Sequence, residues 1–206
     1  MSDKSICRIG VFYDGSYFAI AQRYFYHDKK YGWLDFPQFH SLIENYIRSK
    51  EQGFFNYKIV YSSWFQGISS SNHLDEHQLR NDRNLLYDLM NSGIEQKFLP
   101  MVNQKEKGVD VALAIDAVQI GFDGKIDIAV FVTGDADHIP AVRTLMKHGV
   151  RVMVAFFEFS GNEHKSFVDQ RLRNISNYEV DIASLEKDKD FKTMFRNLFR
   201  KNGESK

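Results

Sequence analysis

Short, nearly continuous apolar segments alternate with amphipathic helical patterns along this chain of 206 residues. The apolar segments have the length and β-branching of buried strands, and they cover residues 6–13, 57–65, 94–99, 127–133 and 151–157. The helical patterns cover residues 16–26, 36–50, 78–91, 109–121 and 136–148. Nearly continuous apolar strands are typical of a sheet that is buried on both faces. The alternation therefore predicts an α/β fold, with helices on both sides of a mostly parallel sheet.

Composition and charge exclude several classes of protein. The chain has 27 basic and 27 acidic residues, so its formal net charge of zero argues against strong nucleic-acid binding by bulk electrostatics and leaves open a local basic face. Cys7 is the only cysteine, which excludes a disulfide framework and argues against a cysteine-based zinc site. Apolar runs stay well below the roughly 18 residues of a membrane span. We therefore expect a cytoplasmic protein without a membrane span.

The end of the chain is expected to differ from the rest. We predict a main domain over residues 6–182 and a C-terminal helical extension over residues 183–206. An amphipathic helix is predicted from apolar residues at helical spacing, which are Phe191, Met194, Phe195, Leu198 and Phe199. We expect this helix to dock on the core, and an oligomer contact or an anionic surface is the alternative. An exposed edge strand also leaves a homodimer open.

Acidic residues occur where predicted strands end. The first strand runs into Asp14, the fourth runs into Asp135 and Asp137, and Asp110 begins the helix before the fourth strand. Since parallel strands present their carboxyl ends at one edge, we expect these four carboxylates to converge. Their repulsion calls for a cation, and hard Mg²⁺ or Mn²⁺ prefers oxygen ligands. Each aspartate by itself is also a favoured helix N-cap. Asp116 points about 120° away from Asp110 on the same helix and is expected outside the cluster.

Three segments carry a family resemblance, and they read VFYDGSYF, KGVDVALAIDA and VFVTGDADHIPAVRTLMKHGVRV. They resemble the NYN domain, in the LabA-like (DUF88) branch of the PIN-like nucleases, over the predicted main domain. The resemblance implies a PIN-like three-layer α/β/α sandwich and an acidic pocket that binds Mg²⁺ or Mn²⁺ and hydrolyses RNA. By motif, it implies that Asp14, Asp110, Asp135 and Asp137 are the catalytic and metal-binding acids. The residues expected beside these ligands are Ser16, Asp116 and Thr133.

Two positions depart from the family pattern. Tyr17 stands where the family usually has Asn, and His138 stands where it usually has an aromatic residue. An Asn at position 17 would orient the first aspartate or a phosphate. His138 is expected either at the pocket rim, against a phosphate, or as a solvent-exposed replacement. Together with Lys107 and Arg143, both residues form the expected substrate-binding set. Further basic candidates for the rim are Lys105, Lys147, Lys165, Arg171 and Arg173.

These features predict a metal-dependent ribonuclease that hydrolyses phosphodiester bonds. In-line attack by water would leave a 5′-phosphate and a 3′-hydroxyl. Single-stranded RNA is the preferred substrate because its exposed bases can stack on aromatic side chains, for which Tyr13, Tyr17 and Phe18 are candidates. The alternative is a catalytically weak or inactive module that binds RNA or a protein through the same edge. Tyr17 favours this alternative, and the retention of all four acids opposes it.

Two further hypotheses, another enzyme class and another metal site, have weaker support in the sequence. A phosphatase of the haloacid dehalogenase type needs a second Asp two residues after the first, and that position holds Ser16. A metal site in the serine-rich loop after the second strand would use His73, Asp75, Glu76 and His77, of which the two histidines are spaced i, i+4. The loop is more simply a rim beside the pocket.

Overall fold

A computed structural model describes residues 6–69, 75–103 and 105–200 of the chain. Its strands are β1 (Ile6–Asp14), β2 (Trp33–Leu34), β3 (Asn56–Ile68), β4 (Glu95–Pro100), β5 (Ile128–Val132), β6 (Arg151–Phe156), β7 (Phe159–Ser160), β8 (Lys165–Ser166), β9 (Tyr178–Asp181) and β10 (Phe199–Arg200). Its α-helices are α1 (Gly15–Arg23), α2 (Phe36–Lys50), α3 (Glu76–Asn91), α4 (Val109–Phe122), α5 (Ile139–Lys147), α6 (Gln170–Ile175) and α7 (Lys192–Arg196). A π-helical turn spans Tyr24–Asp28, and 3₁₀ turns span Ala136–His138 and Ala183–Lys187.

Six strands form the central sheet in the order β4-β3-β1-β5-β6-β9, and all neighbouring pairs are parallel. Alternate side chains of β1 enter two separate cores. Ile9, Val11 and Tyr13 pack with α1, α2 and the C-terminal segment, whereas Phe12 packs with α4 and α5. Both faces of the sheet are therefore covered. This confirms the predicted α/β sandwich around a parallel sheet.

The predicted C-terminal helix is much shorter than expected. Among residues 183–200, the described part of this extension, only α7 is α-helical, and β10 then pairs antiparallel with β2. The physical reason is tertiary: Phe195 and Leu198 are buried in the main core, and the Arg200 guanidinium donates to Asp35 and Asp88. These contacts hold the chain extended where its spacing alone favours a helix. The segment does dock on the core.

Two more expectations are settled by the helices. The helix predicted over residues 136–148 begins with a 3₁₀ turn, and α5 starts only at Ile139. Among the helices of the described ranges, none combines the length and apolarity that crossing a bilayer requires.

Candidate metal centre

The carboxyl ends of β1 and β5 meet at the candidate site. Asp14 is the last residue of β1 and caps α1, where its Oδ1 accepts a hydrogen bond from the Tyr17 amide at 3.0 Å. Thr133 follows β5, and its hydroxyl donates to Asp14 Oδ2 at 3.4 Å. The same hydroxyl accepts from the amide of Asp135 at 3.2 Å. Thr133 therefore links the two strand ends and lies beside Asp14.

Asp110 reaches the same edge from α4. The chain enters this helix at Gly108 with φ of 77°, a left-handed conformation that favours glycine. Asp110 lies in the first helical turn, where the helix dipole favours a negative charge, and its side chain is 52% exposed. Its Oδ1 is 3.8 Å from His138 Nε2. One ligand atom each from Asp14, Asp110 and His138 lie within 4.8 Å of one another.

Asp135 and Asp137 stand beside this group rather than in it. Asp135 caps the 3₁₀ turn, and its Oδ1 accepts from the Asp137 amide at 2.9 Å. Both residues are exposed at the strand exit. Of the four acids expected to converge, the structure thus gathers Asp14 and Asp110 with a histidine.

His138 is buried, not an exposed replacement at the rim. Its side chain is 1% exposed, and neither ring nitrogen has a hydrogen-bond partner within the described ranges. Burial lowers the pKa of His138, against the opposing effect of the carboxylates of Asp110, Asp135 and Asp137. The ring is therefore neutral at neutral pH, the form that can ligate a cation.

Glu106 belongs to the site although its position gave no sequence signal. Its Oε1 accepts hydrogen bonds from the Ser16 hydroxyl and the Gly67 amide, both at 2.7 Å. Ser16 therefore binds Glu106. Glu106 sits in the irregular segment before α4, outside any strand exit, so only the folded path of the chain reveals it.

Asp14 carries the clearest electrostatic perturbation of the site. The pKa of its carboxyl is raised to about 6. Burial is the main cause and the charges of Asp110 and Glu106 add to it, while the hydrogen bonds from the Tyr17 amide and the Thr133 hydroxyl act in the opposite direction. A divalent cation would offset this desolvation and repulsion. The oxygen donors of Asp14 and Asp110 and the unpartnered nitrogens of His138 suit such an ion, so the residues present fit the metal that the fold implies.

Tyr17 has a structural place next to the site. Its hydroxyl accepts from the Phe157 amide at 2.9 Å and donates to the Phe157 carbonyl at 3.3 Å. Its ring lies so close to Gly134 that a Cβ there would meet it at 2.9 Å. Tyr13 and Phe18, proposed as stacking platforms, are wholly buried in the core, so that prediction is wrong for them.

Asp116 belongs to a separate polar network under α4. Its Oδ2 accepts from the hydroxyls of Tyr61 at 2.8 Å and Ser63 at 3.0 Å, and its Oδ1 pairs with Lys97 Nζ at 2.5 Å. These partners lie on β3 and β4, so Asp116 braces the sheet against the helix. In the described residues, no contact links it to the ligand group.

Phe167 is an exposed aromatic residue at the strand exit that sequence reasoning missed. Its side chain is 61% exposed. Its backbone carbonyl oxygen lies so close to Gly134 that a Cβ added at Gly134 would be only 2.6 Å away, so this position has no room for a side chain. The Asp169 amide donates to the Gly134 carbonyl at 3.0 Å and ties this segment to the turn after β5. Arg171 forms an ion pair with Asp169, and its hydrogen bond to Asp169 and the charges of Asp169 and Asp137 raise the pKa of its guanidinium.

The predicted basic residues of the pocket rim are exposed to solvent, and they are Lys105, Lys107, Arg143, Lys147 and Lys165.

A second group of candidate ligands occurs elsewhere, and it has a structural explanation. Ligand atoms of Asp28, Glu163 and His164 lie within 4.8 Å of one another. Asp28 accepts from His164 Nδ1 at 2.8 Å and from the Glu163 amide at 3.2 Å, which joins the π-helical turn to the β7–β8 hairpin. The bond from His164 lowers the pKa of Asp28. In the loop candidate, His73 lies outside the described residues and Asp75 caps α3.

The fold and the site together define an α/β protein with a carboxylate-rich edge suited to a divalent cation. The NYN domain matches residues 8–183, and the chain belongs to that family and with it to the PIN-like superfamily of nucleases. An uncharacterized protein of Methanocaldococcus jannaschii is 33% identical over 103 residues, which are 49% of this chain and 42% of that protein. The match thus spans less than half the length of that relative.

A solved structure also shares the fold. A protein of unknown function from Vibrio parahaemolyticus superposes with a TM-score of 0.54 at 21% identity, over 88% of this chain and 95% of that one. At this identity the likeness speaks for the fold alone.

The raised pKa of Asp14 predicts a pH-dependent gain in stability for Asp14→Asn. The carboxyl binds its proton more tightly in the folded protein than in the unfolded chain. Ionisation of Asp14 therefore lowers the free energy of unfolding: the loss begins above about pH 4 and is complete above about pH 6. Asn keeps an oxygen for the Tyr17 amide. In EDTA at pH 7.5 we expect the free energy of unfolding to rise by about 1–3 kcal/mol, measured by urea denaturation.

The control for this variant is Asp123→Asn, whose exposed carboxylate pairs with Lys125 at the other end of α4. We expect it to change stability by less than about 0.5 kcal/mol at either pH. A gain for Asp14→Asn that persists at pH 4, or no gain at pH 7.5, would contradict the electrostatic account of the site.

Proposed function

We propose that this protein is a divalent-metal-dependent ribonuclease that hydrolyses phosphodiester bonds, most readily in single-stranded RNA. The observation that carries the proposal is the convergence of Asp14, Asp110 and His138 within 4.8 Å at the carboxyl edge of an NYN sheet. Ligands of parallel α/β folds bind at this edge.

The proposed roles follow from burial and contacts. When bound, Mg²⁺ or Mn²⁺ supplies positive charge to the phosphate and eases deprotonation of water. Asp14 and Asp110 would hold the cation, and Thr133 and the Tyr17 amide fix the orientation of Asp14. Asp135 and Asp137 are assigned to the same acid set, as exposed carboxylates that hydrogen-bond water and accept its proton. In-line attack by that water would form a new P–O bond and break the bond from phosphorus to the 3′ oxygen. The leaving 3′ oxygen would take a proton from solvent, so the products would carry a 5′-phosphate and a 3′-hydroxyl.

The openness of the site supports a polymeric substrate. Asp110, Asp135 and Asp137 are exposed, so a phosphodiester can reach them from solvent without entering an enclosed cavity. Lys107 and Arg143 are exposed and lie near the acids in sequence, and we propose that they contact phosphates along the RNA chain. Phe167 supplies an exposed ring for a neighbouring base.

The alternative of an inactive binding module loses its main support. Tyr17 replaces the usual Asn, yet Asp14 is held by the backbone amide of residue 17, which any side chain leaves in place. The hydroxyl of Tyr17 is committed to Phe157. The departure therefore affects packing against Gly134 more than the orientation of the first acid.

Cleavage of end-labelled single-stranded RNA tests the function. With Mn²⁺ or Mg²⁺ we expect cutting that EDTA abolishes and that falls about 100-fold or more in Asp110→Asn, because a ligand of the cation is lost. The exposed side chain of Asp110 makes this variant unlike a core substitution, and Asp123→Asn serves as the matched carboxylate control. Asp135→Asn tests in the same assay whether that acid shares the site.

Three outcomes are informative. Undiminished cutting by Asp110→Asn would place the activity elsewhere or in a contaminant. RNA binding without cutting by any metal-loaded form would favour the binding module. Neither binding nor cutting would overturn the assignment of RNA as substrate.

A stacking role for Phe167 predicts a selective loss of binding to single strands. We expect Phe167→Ala, in an Asp110→Asn background that prevents cleavage, to weaken binding of a labelled oligonucleotide about tenfold, since base stacking contributes about 1–3 kcal/mol. Fluorescence anisotropy measures the dissociation constant. The control is Phe55→Ala, whose ring is 94% exposed just before β3, at the opposite edge of the sheet. Equal losses in both variants would contradict the role.

A further inference from the structure

His138 is placed like a ligand and not like a core residue. Buried polar side chains normally find hydrogen-bond partners, and an unsatisfied one costs about 1–3 kcal/mol. Both nitrogens of His138 lack a partner within the described ranges, although the ring is 1% exposed. A phenylalanine would fill the same space beside Phe131 without that cost. The burial of an imidazole here calls for an occupant that its nitrogens can bind.

The ring is turned toward the acids. Its Nε2 lies 3.8 Å from Asp110 Oδ1, too far for a hydrogen bond. Two ligands of one cation, each bound at about 2.0–2.2 Å, lie roughly 3–4 Å apart. The separation of these two atoms falls in that range. Asp14 completes the group, since one candidate ligand atom from each of the three residues lies within 4.8 Å of the other two. His40 is half-buried with an unpartnered Nε2 within the described residues, and its ring lies beside that of Tyr13 instead of beside the acids.

The backbone holds the imidazole in this place before any ion binds. Asp135 caps the turn that carries His138, and Thr133 in turn fixes the amide of Asp135. Pro140 follows in the first turn of α5 and limits the backbone there. Little side-chain entropy remains to be lost when the ring binds an ion, so the site is preorganised.

We propose that His138 Nε2 is the third protein ligand of the cation held by Asp14 and Asp110, and that this nitrogen makes the site prefer Mn²⁺ over Mg²⁺. The inference rests on the proposed metal site. Carboxylates accept either ion. Mg²⁺ keeps to oxygen ligands and water, whereas Mn²⁺, as a first-row transition metal, binds an imidazole nitrogen more readily than Mg²⁺ does. His138 is thus the residue that decides between the two ions.

Mn²⁺ electron paramagnetic resonance on the full chain, without RNA, reads the ligand directly. In the wild-type protein, electron spin-echo modulation should show a ¹⁴N nucleus coupled to bound Mn²⁺. His138→Phe should abolish that coupling, lower Mn²⁺ affinity about tenfold and change Mg²⁺ affinity less than about threefold. His138→Gln offers oxygen in place of nitrogen and should likewise lose the coupling. His164→Phe, from the second ligand group, is the matched control and should retain it.

The outcomes separate the two proposals. Bound Mn²⁺ without a ¹⁴N signal, and with the same ratio of Mn²⁺ to Mg²⁺ affinity in wild type and His138→Phe, would overturn the role of His138 and leave the carboxylate nuclease site standing. A coupling that disappears in His164→Phe would place the ion in the other group and overturn the inference. No Mn²⁺ binding by the wild-type protein would overturn both. Circular dichroism of each variant shows that a loss does not come from unfolding.

Discussion

The parallel pairing of β1 with β5 is the constraint on which the site depends. Their register sets Tyr13 opposite Val132, so Asp14, the last residue of β1, lies beside Thr133, the first residue after β5. Each then begins a turn into a helical segment, and these turns aim side chains at the same edge. A shift of one residue in this register would move Asp14 out of reach of the Thr133 hydroxyl. Apolar packing on both faces of β1 specifies the register.

Two buried polar groups at the site destabilise the folded protein. Asp14 is largely withdrawn from water next to the charges of Asp110 and Glu106, and its pKa rises to about 6 as a result. His138 is buried without a hydrogen-bond partner in the described residues. The desolvation of Asp14 and the missing hydrogen bonds of His138 both lower stability, and a single bound cation would offset both. Such locally unfavourable features are expected at functional sites.

The sequence predicts the centre of the sheet well because β5 and β6 are almost wholly apolar and β1 nearly so. The edge strand β9 was missed because Tyr178–Asp181 is short and half polar. The C-terminal helix was overpredicted because its apolar spacing is real, yet burial of Phe195 and pairing of β10 with β2 decide its conformation. Tertiary contacts of this kind produce no periodic pattern in the local sequence, so the sequence alone does not predict them.

Asp14 at the end of β1 and Asp110 at the start of α4 are predictable from the topology of a parallel α/β sheet, and they do meet. The sequence predicts His138 at the pocket, but its burial beside Asp110 depends on a 3₁₀ turn that the sequence pattern does not predict. Glu106 is not predictable, since it lies in an irregular loop. The exposed ring of Phe167 comes from a segment whose position follows from a single backbone bond between Asp169 and Gly134. Residues on irregular backbone thus complete a candidate site whose first two carboxylates follow from the topology of the sheet and its helices.

A crystal of the wild-type protein grown with Mn²⁺ and measured at the manganese absorption edge gives the most direct test of the central claim. The account predicts an anomalous difference peak between the carboxylates of Asp14 and Asp110, within bonding distance of His138 Nε2. A peak confined to Asp28, Glu163 and His164, or no peak at the carboxyl edge of β1 and β5, would contradict it.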